Sequence, residues 1–285
     1  RNILNLFKKF DVLVITGFQG LSNDNRVTTL GRGGSDTSAV AIAAATKADV
    51  CEIYTDVEGI LTADPREVSK AKKISEITYE EILEMASLGS KVLQPRSVEL
   101  AMKYDIKVHV RSSFSNKKGT LVVKEGNKLE KEVVTGISSS DDESKITLMG
   151  IPDTPGVASK IFSPLADANV NVDMIVQNIT DDGKMTSLTF TVINNESKKA
   201  INAIKKSEVK VKKIHEDKKI CKISIIGVGM KSHVGVAKKM FDTLASENIN
   251  IQVISTSEIK ISVLISKEKK RVAVKALHKA YKLSN

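Results

Sequence analysis

The segment Thr28-Thr29-Leu30-Gly31-Arg32-Gly33-Gly34-Ser35-Asp36-Thr37 concentrates groups able to hold an anion. Three glycines free the backbone to aim N–H groups at a ligand. Arg32 presents a planar fork that matches a carboxylate or a phosphate. Ser35 stands where it can cap an Ala-rich helix, and a helix N-terminus favours negative charge. Asp36 in the first turn complements the helix dipole. Beside a phosphate it repels, unless Mg²⁺ or a substrate ammonium lies between. A glycine-rich turn with a good cap accounts for the same residues without any ligand, so the chemistry needs partners elsewhere.

Candidate partners follow a run of strand-forming residues at 50–55. Thr55, Asp56 and the stretch Leu61-Thr62-Ala63-Asp64-Pro65-Arg66 come directly after it, where open α/β sheets bind ligands beyond the carboxyl ends of their strands. Asp56 and Asp64 can receive ribose hydroxyls, amines or a metal, and Asp64-Pro65 is equally a turn. Lys91, between a helix end and a helix start, can reach a phosphate. Two later loops are built alike, one over 150–158 and one over 227–236. A glycine at a helix start (Gly156, Gly235) leaves amides open to a small carboxylate, and Asp153 can hold an ammonium. That pocket suits a free amino acid, although Gly and Pro shape such turns in any case.

Other chemistries have little support. His109, His215, His233 and His278 show no metal or triad spacing, and no metal site is expected. Cys51 and Cys221 lie far apart with no adjacent His, which fits a reducing cytoplasm and offers no hydrolytic nucleophile. The net charge is +10 over 285 residues. Residues 1–124 contribute +3 and residues 125–285 contribute +7, mostly as scattered Lys with few Arg, and aromatics are only 4%. Readers of bases lean on Arg forks and stacking rings, so a solvated surface is the reading and no nucleic-acid partner is expected. No apolar run approaches the ~20 residues of a membrane span, and RNILNLFKKF lacks the core of a secretory signal.

The elements that must position these groups read as α/β. Residues 12–15, Val-Leu-Val-Ile, have the pattern of a buried parallel strand. Helices are expected over 37–47, 78–88 and 95–104, with strands at 50–55 and 108–111. Thr78 and Glu81 form a capping box, and Pro95 suits a first helical turn. Residues 125–128 and 138–142 are polar turn or linker material around a short strand at 133–137. Beyond lies an internal repeat: residues 156–172, GVASKIFSPLADANVNV, match residues 235–251, GVAKKMFDTLASENINI, at nine of 17 positions. Each copy follows the order β-α-β-β-α, a ferredoxin-like pattern. Pro164 falls inside the first repeat's helix and is expected to kink it.

Residues 28–68, residues 78–96 (TYEEILEMASLGSKVLQPR) and residues 110–122 (VRSSFSNKKGTLV) together resemble the carboxyl half of the catalytic domain of aspartate kinase. The repeat, with QNIT at 177–180 and STSEIKISVLI at 255–265, resembles its tandem ACT domains. The resemblance implies a partial open α/β sheet of the amino-acid-kinase fold over 1–124, a linker with a short strand over 125–142, and α+β ACT domains over 143–217 and 218–285. It implies Mg-ATP-dependent phosphorylation of L-aspartate to 4-phospho-L-aspartate, in the cytoplasm, by a homo-oligomer joined through its ACT domains. Arg32, Gly33, Gly34 and Ser35 match the substrate-binding motif, and Asp36 an organising acid. Ser35, Thr55, Asp56, Leu61, Thr62, Ala63, Asp64, Pro65, Arg66 and Lys91 match nucleotide contacts. Asp153, Gly156, Ala158, Gln177, Ser232, His233, Val234, Gly235, Asn250 and Ile251 match contacts of a lysine or threonine effector. The strand before the first ACT unit is expected to complete the second.

The sequence departs from the family pattern. It opens on Arg1 without a Lys-Phe-Gly-Gly phosphate loop, so a fragment, catalytically incomplete alone, is expected. Gln94 stands where His is common and Leu61 where Tyr is common. The alternative reading is a non-catalytic, amino-acid-binding regulatory subunit.

Overall fold

The computed structural model describes residues 2–87, 92–124, 133–179 and 183–284. It begins with a short helix, α1 (Asn2–Leu6). Residues 12–15 are not the expected strand: they are irregular, and Val12 and Val14 are 78% and 96% exposed. β-Branched residues form a strand only where a neighbour pairs their backbone and covers their faces. Among the described residues no strand lies beside them.

A hairpin of β1 (Gln19–Leu21) and β2 (Val27–Thr29) leads into α2 (Gly34–Thr46), which starts three residues earlier than expected. Then follow β3 (Cys51–Thr55), β4 (Glu76–Thr78), α3 (Tyr79–Ser87), α4 (Pro95–Tyr104), β5 (Val108–Ser112) and β6 (Thr120–Val123). The sheet order is β3-β5-β6-β4, parallel in its outer pairs and antiparallel between β5 and β6. Inward residues Ile53, Val108, Val110 and Val122 pack on Val40, Ile82 and Val98 of the three longer helices.

The second half holds β7 (Gly136–Ser140), β8 (Glu143–Pro152), α5 (Val157–Asp167), β9 (Asp173–Ile179), β10 (Met185–Ile193), α6 (Ser197–Lys205), β11 (Lys213–Asp217), β12 (Ile220–Ile226), α7 (Val236–Ser246), β13 (Val253–Thr256), β14 (Lys260–Ser266) and α8 (Lys270–Ala280). Helix α5 continues through Pro164 to Asp167. The two antiparallel sheets read β11-β8-β10-β9 and β7-β12-β14-β13, the same order twice. The outer strand of the first sheet comes from its own repeat. That of the second is β7, which precedes the first repeat in the chain. The serines at 138–140, expected as linker, are therefore strand. Backbone pairing with β12 and burial of Ile137 beside Ile223 and Ile225 override their weak strand preference.

The first sheet meets the second through Met174, Ile220, Leu264 and Val253. Beside them Lys222, nearly buried, pairs with Glu143 and lies 2.7 Å from Asp173. Burial pulls the Lys222 ammonium down, and the two carboxylates outweigh it, leaving it above its ordinary value. Among the described residues no helix is long and apolar enough to cross a membrane.

The capping box at α3 is present and carries more than a cap. Glu81, 1% exposed, accepts from the Thr78 N–H and hydroxyl, both at 3.0 Å. Its other oxygen accepts from the Thr135 hydroxyl at 2.6 Å and the Val228 N–H at 3.0 Å. One carboxylate thus ties α3 to the lead-in of β7 and to the loop after β12. Glu81→Gln puts an amide where two donors converge, and is expected to cost about 2–3 kcal/mol. Glu80→Gln, on the same turn, is expected to stay within about 0.5 kcal/mol. Urea unfolding compares the two, and equal midpoints would show the network contributes nothing. At the sheet junction, Lys222→Met leaves Glu143 buried and unpaired and is expected to cost about 3 kcal/mol or more. Adding Glu143→Gln is expected to recover part of that loss in the same assay.

Candidate functional site

Three helices begin on a left-handed glycine with no side-chain cap. Gly33 has φ 72°, Gly156 φ 85° and Gly235 φ 87°. At α2 this replaces the expected Ser35 cap: Ser35 is exposed within the first turn, and Thr37 and Ser38 hydroxyls donate back to the Gly33 and Gly34 carbonyls. Close approach adds to the need for glycine here. A Cβ on Gly33 would stand 1.8 Å from the Gln94 side chain, and one on Gly34 would meet Leu30 and Phe18. A side chain at Gly33 would also have to adopt a backbone conformation that L residues rarely hold.

A cleft of about 950 Å³ opens beside this start. Arg32, Thr55, Asp56, Leu61, Ala63, Asp64, Pro65 and Arg66 line it, so two clusters about 30 residues apart in sequence share one space. Thr62 is buried behind its neighbours, and Lys91 lies outside the described residues. Of the 33–35 segment none lines the cleft, which leaves Arg32 as its representative there. Asp64 and Arg66 form a forked pair, with Arg66 Nη2 at 2.6 Å and Nε at 3.0 Å, and a backbone N–H of Arg66 closes the turn at 2.8 Å. The guanidinium holds Asp64 below the usual carboxylate range.

Asp36 is half-buried and takes the backbone N–H of Gln94. Burial pushes its carboxyl up, against that hydrogen bond. Cys51, buried beside Asp36, is pushed up to about 11 by burial and by the Asp36 charge, and burial pushes Cys221 up to about 12. Neither thiol is a nucleophile at neutral pH. Among the described residues no group of three or more His, Cys, Asp or Glu side chains could hold a metal ion. Of the three candidate acids, Asp56 and Asp64 line the cleft and Asp36 does not.

The far wall of the cleft comes from remote sequence. Ser138 to Glu143 line it, as do Ile193, Lys270 and Val274, with Met85, Val92 and Leu93 from the α3–α4 region. No local motif marks these residues, because only the strand exchange of β7 and the packing of α8 bring them there.

Gln177 on β9 donates to Asp153 at 3.5 Å, and Gly156 and Ala158 begin α5 just beyond. In the second repeat Gly235 begins α7. His233 Nδ1 lies 2.8 Å from the Gly229 carbonyl, Ser232 donates to the same oxygen at 3.3 Å, and Val234 is fully exposed. Asn250 is exposed, and Ile251 packs on the second repeat's core.

Comparison with known proteins adds family context. A model of the amino acid kinase family matches residues 1–112, and models of the ACT domain match residues 145–209 and 223–281. An aspartate kinase of Pseudomonas putida is 52% identical over 279 residues, covering 97% of this chain and 68% of that protein. The structure of Escherichia coli aspartokinase III with aspartate and ADP superposes with a TM-score of 0.79 at 31% identity, over 98% of this chain and 63% of the other. The same enzyme with lysine and aspartate gives 0.75 at 31%, over 97% and 62%. The chain spans about two thirds of the length of the curated relatives it matches.

The raised Asp36 carboxyl fixes the sign of a pH effect. A folded-state value above the unfolded one favours the protonated form, so ionised Asp36 costs stability at neutral pH, and the cost vanishes below the ordinary Asp range. Asp36→Asn keeps an acceptor for Gln94 and removes the charge. Its melting temperature is expected to exceed wild type at pH 7, with the gap closing by about pH 3. A gap that widens on acidification would mean that burial is not the governing cause.

Proposed function

Since the chain belongs to the aspartate kinase family, we propose that its cleft binds ATP and L-aspartate for transfer of the γ-phosphoryl group to the side-chain carboxylate. A carboxylate oxygen forms the new P–O bond, the bond to the β-phosphate oxygen breaks, and ADP leaves with 4-phospho-L-aspartate as the other product. The supporting observation is the convergence of Arg32 with Thr55, Asp56 and the 61–66 loop on one space. Such transfer rests on positioning and charge stabilisation more than on covalent chemistry. In this reading Arg32 clamps an aspartate carboxylate, with the Gly33, Gly34 and Ser35 segment setting its position. Asp36 orients the amino acid or a Mg²⁺ carried by the nucleotide. Thr55, Asp56, Leu61, Ala63, Asp64, Pro65 and Arg66 form the nucleotide side, with Thr62 holding their loop from behind and Lys91 as a further phosphate contact.

Lysine or threonine is the proposed effector, held by Asp153, Gly156, Ala158 and Gln177, with Ser232 to Gly235, Asn250 and Ile251 as the second set. Uncapped helix starts supply amides for its carboxylate and Asp153 a counter-charge for its ammonium. The ACT domains pair to form a homo-oligomer. The domain limits proposed are 1–124, 125–142, 143–217 and 218–285, in a cytoplasmic protein.

The 285 residues contain no Lys-Phe-Gly-Gly loop. One observation favours the second reading, a regulatory subunit: among the described residues both ACT sheets have four strands, while Val12, Val14 and Ile15 are exposed and unpaired with any strand.

Calorimetry on the 285-residue chain separates these readings. Mg-ADP is expected to bind, with Asp56→Ala weakening it about tenfold. Arg32→Ala is expected to weaken aspartate about 10–100-fold while leaving Mg-ADP within about twofold, as for loss of a charge-assisted contact. Heat with lysine or threonine but none with Mg-ADP selects the regulatory subunit. No heat with any of the four ligands overturns both.

A further inference from the structure

Helix α8 belongs to the second ACT repeat, yet one face of it lies along the cleft. Lys270 and Val274 line the space, and His278 follows one turn further along the same face. His278 is 1% exposed, and its Nε2 stands 2.9 Å from the hydroxyl of Thr62. Thr62 is itself 2% exposed and sits in the middle of the 61–66 loop.

The proton inventory fixes how this contact works. The Thr62 hydroxyl has one proton, which it donates to the Leu283 carbonyl at 3.0 Å. It already accepts the Lys72 N–H at 3.0 Å. The His278 contact is satisfied only if Nε2 carries the proton and fills the second lone pair. Nδ1 is then an acceptor, and the Ser284 hydroxyl lies 3.3 Å from it. The Thr62 backbone is pinned as well, its N–H donating to Lys72 O at 2.9 Å and its carbonyl accepting Ile137 N–H at 2.8 Å. Every polar atom of Thr62 is therefore taken, and the side-chain share comes mainly from the C-terminal segment of the second repeat. The residues on either side, Leu61 and Ala63 to Arg66, form the cleft wall.

We propose that His278 is a positioning residue for the 61–66 loop, so that nucleotide affinity is set by how α8 of the second ACT repeat seats against Thr62. The ring touches no ligand and acts through the Thr62 hydroxyl. This rests on reading the cleft as the nucleotide site. In consequence the ACT pair is a structural part of that site, and a shift of α8 changes nucleotide binding with no change in any residue that contacts the nucleotide.

The test is Mg-ADP titration by calorimetry on the 285-residue chain, at a temperature well below the melting point of every variant. His278→Leu and Thr62→Val remove the donor and the hydroxyl at similar volume. His278→Gln keeps an N–H near the Nε2 position, and Thr62→Ser keeps the hydroxyl. The Kd is expected to rise about 3–10-fold in Leu and Val variants, the worth of one hydrogen bond, and to stay within about twofold of wild type in the Gln and Ser variants. Should His278→Leu not fold, Thr62→Val decides the matter. A folded variant with lowered melting temperature and unchanged Mg-ADP affinity makes His278 a structural residue only and overturns the proposal. Equal weakening in all four variants overturns it too. Absence of Mg-ADP binding by wild type instead refutes the nucleotide reading of the cleft, and this proposal with it.

Discussion

Five residues of backbone pairing, Gly136–Ser140 against Lys222–Ile226, tie the second repeat to the chain that leaves the kinase sheet. The chain leaves the kinase sheet, lays one strand in the far domain, builds the first repeat, and only then returns to finish the second. The first repeat is thereby an insertion between β7 and its own sheet. The arrangement also resolves an edge problem. Without β7, one side of β12 would present unpaired N–H and C=O groups beside a buried apolar face. With it, the second sheet has the same four-strand order as the first, although its outer strand is borrowed from upstream.

This pairing places polar groups where each must find a partner. The Ile137 N–H donates to the Thr62 carbonyl, and the Thr135 N–H to the Ile226 carbonyl. Gly227 lies so close to residues 133–135 that a Cβ there would stand 2.5 Å from the Val133 carbonyl oxygen. Glu81 gathers the remaining donors of that junction, and Lys260 adds an ion pair to Glu84 at 2.7 Å. Buried networks of this kind are stabilising only while complete, since a lost partner leaves a desolvated group behind. Interfaces that are satisfied in this all-or-none manner move as units, which suits a domain expected to transmit a binding event.

Legibility from sequence followed the range of the forces involved. The capping box of Thr78 and Glu81, the Pro95 helix start and the duplicated β-α-β-β-α order are set by neighbours within a few residues, and all were readable. The Arg32 and Asp56 clusters were readable as candidates because each carries its own chemistry, although their meeting needed the sheet. Three features were not readable. Residues 12–15 have strand composition but no partner among the described residues, and composition cannot supply one. Residues 138–140 have linker composition but are held as strand by β12, some 80 residues away. Ser35 looked like a cap, yet the left-handed Gly33 begins α2 first. His278 was passed over for a related reason: its significance lies in Thr62, 216 positions distant.

The glycine starts of α5 and α7 show what duplication has kept and what it has let diverge. Both have φ near 85–87° and ψ of −2°, so the backbone cradle is the same twice. The polar side chains bonded around the two loops differ. The first copy offers a carboxylate and an amide, Asp153 and Gln177, whereas the second offers Ser232 and a His233 ring bonded to Gly229. A site with an anionic group can hold an ammonium at little cost, and a site without one must leave it to water. In the second copy the loop after β12 that leads to the helix start is bonded through Val228 to Glu81, and the last helix is bonded through His278 to Thr62. Two copies of one fold thus differ in their ties to the first half of the chain, because the copy completed by β7 is the one whose loop and last helix reach Glu81 and Thr62.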